Sequence, residues 1–385
     1  MGVLAAIFGL IAVAGILDTL AGLLLVRRFV GRAPSMPRRR PPISVLKPLA
    51  GDEPLLEEAL ASFCRQDYPE LQLVCGAADA SDPGLAIVRR LAARFPEREI
   101  TLVAGPGPSG ANRKVANLIT MLAAARHGII MISDADVHAP PGYLDAIAAA
   151  LEAPDTGLAT TLYTGRPGVP GWPARLGASG INHGFLPAAL LGRALGRQDA
   201  LGATLALPRE VLARAGGLEP LIDELADDAV LGLRVAALGL KVRLAATVPA
   251  TTVPERGLGA LFRHELRWAR TMRSLAPAGY AASALRYPIP WALAALAASA
   301  TSLSIALLVL AWAARAAAAR GIDRALGLAP VLPAWLVPAR DIFSLAVLLV
   351  SYTGERVEWR GAVLRAGRPG SGTSSRAPKR GCPGR

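Results

Sequence analysis

Two carboxylates stand one residue apart at the end of a short apolar run, Gly128-Ile-Ile-Met-Ile-Ser-Asp134-Ala-Asp136. A run of this length closed by polar residues reads as a buried parallel strand. In open α/β sheets, ligands bind beyond the carboxyl ends of the strands. Paired acids at that edge suit a hard divalent cation, which prefers oxygen ligands and bridges to substrate phosphates. Strands also end in Asp for turn chemistry, so the motif alone divides evenly between a metal–diphosphate site and a turn.

Further polar groups fall at comparable places. Ala-Ala-Asp79-Ala-Ser-Asp82-Pro83 follows another apolar run. Either acid can accept hydrogen bonds from a base or ribose, or close an Asx turn before the proline. Asn112-Arg-Lys114-Val-Ala-Asn117 opens a helix after a Gly/Pro loop, where backbone N–H groups and a lysine make an anion site or simply a solvated turn. Asp223-Glu-Leu-Ala-Asp227-Asp228 places four acids in six residues ahead of an apolar helix over Ala229 to Leu238. Helix-dipole pairing accounts for most of them, but one aimed into a cleft makes a general base. Arg263-His-Glu-Leu-Arg267-Trp268-Ala-Arg270 lies on a basic amphipathic helix after Gly257. There Arg267 can grip a diphosphate and Trp268 can stack on a sugar or acceptor, or the helix can lie on a membrane surface.

The elements that must position these groups alternate. Strands are expected over Ile43–Leu46, Leu71–Cys75, Ile100–Val103 and Ile129–Ser133. Helices are expected over Glu53–Cys64, Ile87–Phe95 and Lys114–Arg126. This βαβαβαβ order implies an α/β fold with a mostly parallel sheet and right-handed crossovers.

The 385 residues exceed one typical domain, and the remainder reads as membrane. Met1 to Val26 is almost wholly apolar and long enough to span a bilayer. It lacks a basic n-region and a clear cleavage site, so it reads as a retained signal-anchor. Its one charge, Asp18, is read as lying near the interface. Arg27, Arg28, Arg32, Arg38, Arg39 and Arg40 follow; by the positive-inside rule they place the N-terminus outside and the next domain in the cytoplasm. The net charge of +13 suits anionic headgroups. Because the basic residues cluster beside apolar segments, no nucleic-acid partner is expected. Cys64, Cys75 and Cys382 show no metal-ligand spacing, and their odd count fits a reducing compartment.

The expected divisions are an anchor over 1–26, a basic linker over 27–42, a catalytic domain over 43–257 and a basic interfacial helix over 258–286. An apolar span follows over 287–314. A third apolar segment over 329–353 is broken by Pro330, Pro333, Pro338 and Arg340-Asp341 and is either transmembrane, re-entrant or interfacial. If it spans, the connecting Arg315, Arg320 and Arg324 oppose the positive-inside rule. The tail over 354–385 is basic and expected to be disordered from Gly367.

Taken in order, the motifs Ser44-Val-Leu-Lys-Pro48, Ala-Asp79-Ala-Ser-Asp-Pro83, Asn112-Arg-Lys-Val-Ala-Asn-Leu118, Ser-Asp134-Ala-Asp136, Ala-Gly-Gly217, Ala-Asp-Asp228 and His264-Glu-Leu-Arg-Trp268 resemble a known set. It is that of the ceramide glucosyltransferase-like family of inverting GT-A membrane glycosyltransferases. The resemblance runs from the anchor to past Ala278. Ile181-Asn-His-Gly-Phe185, His264 to Arg270 and Val357-Glu-Trp-Arg-Gly361 are most similar to the bacterial glycosyltransferases of hopanoid biosynthesis. That likeness implies N-acetylglucosamine transfer from UDP-GlcNAc to bacteriohopanetetrol in a bacterial inner membrane. Glucose transfer from UDP-glucose to ceramide is the alternative.

Carried over, the resemblance implies a nucleotide-holding Asp79, a metal motif at Asp134 and Asp136 for Mg2+ or Mn2+, and Asp228 as general base. Lys114, Asn117, Arg267 and Trp268 join Asp79 and Asp134 around the UDP-sugar donor. His264 stands where ceramide-type members carry Gln or Arg; it and Asp227 belong to the acceptor side without a defined role. His138 is expected to be an ordinary loop histidine.

The implied chemistry is single displacement with inversion onto a membrane-lipid hydroxyl. Repulsion from neighbouring acids should raise the pKa of Asp228. Three rivals have discriminating features. A processive polysaccharide synthase needs more membrane helices; a haloacid-dehalogenase-type phosphatase carries Thr or Val where His138 stands; a non-catalytic scaffold has no need of all the acids.

Overall fold

The computed structural model describes residues 2–32, 36–359 and 362–365. The chain begins with helix α1 (Val3–Val30). It then alternates β1 (Ile43–Pro48), α2 (Leu56–Cys64), β2 (Leu71–Ala77), α3 (Pro83–Arg94), β3 (Glu99–Ala104), α4 (Arg113–Leu122) and β4 (Ile129–Ser133). Next come β5 (Val137–His138), α5 (Tyr143–Glu152), β6 (Thr156–Thr160), β7 (Thr164–Pro167), α6 (Trp172–Gly180), a π-helical turn (Ile181–Phe185) and α7 (Leu186–Ala194). β8 (Thr204–Pro208), α8 (Arg209–Arg214), α9 (Asp227–Ala237), β9 (Lys241–Leu244) and β10 (Ala250–Val253) complete the α/β domain. Beyond it lie α10 (Leu258–Leu275), α11 (Pro277–Ala282), α12 (Pro288–Ala298), α13 (Ser302–Ala325), α14 (Val337–Ser351) and the hairpin β11 (Arg356–Trp359)–β12 (Ala362–Arg365).

The main sheet has the order β3-β2-β1-β4-β8-β6-β9. Its first four strands pair in parallel, as the alternating pattern requires. β8 alone runs antiparallel, to both β4 and β6. One face is covered by α2, α3 and α5 around Leu60, Phe63, Leu85 and Ile147. The other is covered by α4, α8 and α9 around Leu118, Met121, Leu212 and Leu231. Burial on both faces is what the continuous apolar runs of β1, β2 and β4 demand. Register aligns Leu46 with Ile132 and Pro48 with Gly76, so the chain leaves β1, β2 and β4 at one edge.

Two helices are shorter than the pattern suggests. α4 ends at Leu122 because the segment after it turns to meet strand side chains: Arg126 N donates to Gln72 Oε1 (2.9 Å), and Gln72 Nε2 donates to the Ala124 carbonyl (3.0 Å). α2 starts at Leu56 because Leu55 adopts φ 61°, a left-handed conformation outside a helix.

The apolar segment expected over 287–314 is not one helix. α12 stops at Ala298, Ser299 and Thr301 are extended, and α13 starts afresh under a Thr301–Ser304 capping box. The Ser and Thr residues at the break, Ser299 to Ser304, are also tolerated inside apolar helices, so they do not announce it. The basic helix expected over 258–286 likewise ends at Leu275, where Ala276 leaves helical geometry ahead of Pro277. By length and composition, Val3–Val30, Ser302–Ala325 and Ala334–Ser351 can each cross a membrane. Asp18 is tied to Arg286 (3.0 Å). The tail expected to be disordered from Gly367 lies outside the described residues.

Candidate active site

The acids meet at the edge where β2 and β4 end. Asp134 follows β4 directly, and its Oδ1 lies 2.6 Å from Lys114 Nζ on the first turn of α4. The same ammonium is 3.9 Å from Asp227 Oδ2 at the start of α9. Lys114 thus bridges two acids that arrive from opposite sides of the cleft. Burial disfavours its charge, but Asp134 and Asp227 outweigh that and raise its pKa. Asn112 caps α4, accepting from Val115 N (3.1 Å) and donating to the Glu224 carbonyl (2.8 Å), which ties this helix start to the acidic loop.

Asp136 is held by β10. It accepts from Thr251 Oγ1 (2.5 Å), while its own carbonyl accepts from Thr252 N on β10 (3.2 Å). Burial first, then the charge of Asp134, raises the Asp136 pKa. Two carboxylates at this edge, one destabilised as an anion, form an oxygen-only donor set that fits a hard divalent cation. Among the described residues no cluster of three or more His, Cys, Asp or Glu side chains is placed to hold a metal. A cation here would therefore complete its shell with phosphate and water, as Mg2+ commonly does.

Asp228 sits one position along α9. Burial, and secondly Asp227, pushes its carboxyl up to about 6, while the N–H of Ala229 on its Oδ1 (2.8 Å) works the other way. The expected upward shift is present, but desolvation leads and like-charge repulsion follows. The loop before β8 presses on this acid: a Cβ on Gly202 would lie 2.8 Å from Asp228 Oδ2. Gly202→Ala is therefore expected to displace the carboxylate and lower kcat, with far-UV circular dichroism unchanged.

The family 21 glycosyl transferase model matches residues 7–371. The chain belongs to glycosyl transferase family 21. Ceramide glucosyltransferase 1 of Caenorhabditis elegans is 26% identical over 219 residues, covering 54% of this chain and 45% of that protein. The ceramide glucosyltransferase of Komagataella phaffii is 29% identical over 106 residues, covering 26% and 21% respectively. The match thus spans less than half the length of these relatives. The mannosyltransferase PcManGT of Pyrobaculum calidifontis, solved in complex with GDP-Man and Mn2+, superposes with a TM-score of 0.56 at 23% identity, covering 90% of this chain and 99% of that one. That likeness is one of fold, and it is GT-A-like.

The remaining expected residues of this family 21 chain divide by what they touch. Asp79 is exposed after β2 and accepts from Ser81 N (2.8 Å) and Ser81 Oγ (2.7 Å), the Asx-turn alternative, which holds its pKa down. Asp82 caps α3 through Gly84 N (2.8 Å) and also accepts from Gly51 N (2.7 Å). Asn117 is buried and donates to the Gly76 carbonyl (2.8 Å), bracing the end of β2. Burial raises the Asp227 pKa against the pull of Lys114.

Arg267 and Trp268 lie on α10. Trp268 is 37% exposed, with its ring 4.3 Å from that of His264. His264 Nδ1 is held by Glu255. Burial first, then the charges of Asp228, Asp134 and Asp136, raises the pKa of the Tyr163 hydroxyl, and the charge of Arg267 works the other way. His138 is no loop residue. It is buried in β5, with Nε2 2.9 Å from Thr252 Oγ1, and burial lowers its pKa to about 4.

Three residues of the site carry no plain sequence signal. Lys47 is fully buried on β1, donates to Ser133 Oγ (3.0 Å) and the Asp134 carbonyl (2.8 Å), and lies over the Phe63 ring at 3.6 Å. Burial lowers its pKa to about 7 despite Asp136 and Asp134 nearby. It fixes the backbone from which Asp134 projects. Tyr163 stacks on Phe185 (4.6 Å) beneath the acids. Gly202 admits Asp228. A lysine inside an apolar strand, quoted above only within Ser44–Pro48, gives no hint that its ammonium points along the sheet to the next strand.

Proposed function

We propose that this protein transfers a sugar from a UDP-sugar to the hydroxyl of a membrane lipid with inversion, and that the sugar and acceptor are N-acetylglucosamine and bacteriohopanetetrol. The observation that carries the transferase reading is the meeting of Asp134, Asp136, Lys114 and Asp228 at one sheet edge in a family 21 chain. The hopanoid acceptor rests on the resemblance at Ile181–Phe185 and at His264–Arg270. The ceramide glucosyltransferases among the relatives favour a second reading, UDP-glucose and ceramide.

In this mechanism Asp228, poised with a raised pKa, takes the proton from the acceptor hydroxyl. The freed oxygen forms a bond to the anomeric carbon from the face opposite the diphosphate. The old carbon–oxygen bond breaks with its electron pair going to the diphosphate. Mg2+ or Mn2+ held by Asp134 and Asp136 would neutralise the charge developing on that leaving group. Lys114 and Arg267 supply fixed positive charge on the same side, Asp79 meets the nucleoside, and Trp268 stacks on sugar or acceptor. Asn117 acts through the main chain of β2, and Asp227 positions Lys114.

The test is direct. Membranes containing the protein are given radiolabelled UDP-GlcNAc or UDP-glucose with bacteriohopanetetrol and ceramide side by side. Label from UDP-GlcNAc in bacteriohopanetetrol is the expected result; label in ceramide alone would remove the hopanoid acceptor, and label in neither lipid would remove both readings.

A further inference from the structure

Both ends of α14 are fastened to the α/β domain and to α10. Before it, Arg175 on α6 donates to the Val331 carbonyl (2.6 Å), and Leu332 packs with Leu176 and Leu261. After it, Arg273 on α10 donates to the Gly354 carbonyl (2.9 Å), and Arg270 donates to the Arg356 carbonyl (2.5 Å). Between these points Arg340 makes a two-pronged ion pair with Glu265 (2.8 and 2.5 Å), and Phe262 meets Phe343 edge-on at 5.7 Å. A helix fastened at both ends to one partner cannot cross the bilayer unless that partner does. α10 carries Arg263, His264, Glu265, Arg267, Arg270 and Arg273 within its 18 residues, which bars it from hydrocarbon. With the helical turn Ala334–Leu336 ahead of it, α14 makes 18 residues; at about 1.5 Å per residue that is about 27 Å, barely the depth of the roughly 30 Å hydrocarbon layer, so its fastening to α10 decides where it lies.

The other apolar helices make a hairpin beside α1. Gly15 faces Pro288 and Phe8 stacks on Trp291 at 5.9 Å, so α12 runs back toward the start of α1. Gly9 faces Leu307 and Gly321 faces Leu23, so α13 returns along α1 toward the basic end. The turn between them satisfies itself: Ser304 Oγ donates to the Ser299 carbonyl (2.7 Å) and Thr301 N donates to Ser304 Oγ (3.0 Å). Backbone at membrane depth needs such internal partners.

We propose that α14 lies along the membrane surface beside α10, and that only α1 and the α12–α13 hairpin enter the bilayer. The occupant of the exposed stripe Trp335, Ile342 and Leu349, 66%, 50% and 59% exposed at seven-residue spacing, is the boundary between headgroups and acyl chains. Trp268 and Met272 on α10 share that boundary, which brings an acceptor headgroup to the closing-motif helix. The arrangement also places Arg315, Arg320 and Arg324 on the same side as Arg27 and Arg28, and removes the conflict with the positive-inside rule.

The proposal rests on the membrane reading above but not on any sugar or acceptor, so its test needs no activity. Cys64 and Cys75 are buried, and Cys382→Ser removes the third thiol. Into this background go Ala329→Cys or Thr353→Cys, at exposed positions on either side of α14. Whole cells and opened cells are then treated with a membrane-impermeant maleimide. Both thiols are expected to react from the same face of the membrane. Reaction from opposite faces would overturn the proposal. So would a silent Ala329→Cys after the cells are opened, which places the loop inside the bilayer.

Discussion

Asp228→Asn is expected to lower sugar transfer by roughly 10²- to 10⁴-fold, the usual contribution of a positioned base, while the protein stays folded. Burial and Asp227 raise the Asp228 pKa to about 6. A raised carboxylate favours the folded state in its protonated form, so its contribution to stability is full at low pH and declines as pH rises through about 6. The uncharged Asn escapes that decline. Tm at pH 8 should therefore equal or exceed that of the wild type even as activity collapses, which separates loss of the base from loss of the fold. As the proposed base, Asp228 must be ionised to accept a proton, so wild-type kcat/KM should rise with pH through about 6 and level off above it. Any residual activity of Asp228→Asn should lack that limb; an unchanged acid limb would assign the base to another residue.

Asp136→Asn and Asp134→Ala are expected to cut transfer by at least about 100-fold, as removing a group that stabilises leaving-group charge commonly does. The readout that separates a metal role from general damage is ligand-linked stability. A ligand at 100 times its Kd stabilises the folded state by about 2.7 kcal/mol, so UDP with Mn2+ should raise the wild-type Tm by several degrees. Neither variant should show that rise. Because burial and Asp134 already disfavour the Asp136 charge, Asp136→Asn should keep its own Tm. Equal Mn2+-dependent shifts in wild type and variants would remove both acids from the metal site.

Much of the cleft was legible because parallel strands deliver their carboxyl ends to one edge. The apolar runs of β1, β2 and β4 marked that edge, and Asp134 directly after β4 and Asp79 in the turn after β2 both lie beyond it. The side of the cleft carrying Asp228 was visible only as acids before a helix. What brings it across is β8, inserted antiparallel between β4 and β6, and nothing in Thr204–Pro208 distinguishes that direction. Lys47 and Tyr163 were illegible for a different reason. Their roles depend on which neighbour the side chain reaches, Asp134 across a strand pair in one case and Phe185 in the π-helical turn in the other. The break between α12 and α13 left no mark because Ser and Thr are tolerated in apolar helices; only the capping box formed by Thr301 and Ser304 reveals it.

The pairing of Glu265 with Arg340 joins residues 75 positions apart. During synthesis the whole α/β domain, with Lys114 and the acids in place, leaves the ribosome before Arg340 exists. Until it appears, Glu265 on α10 lacks the two-pronged partner that fixes the helix against α14. The contact between α10 and α14 thus forms only after α12 and α13 have been made. A nascent chain can fold its α/β domain early and still lack the contact that fixes α10 against α14.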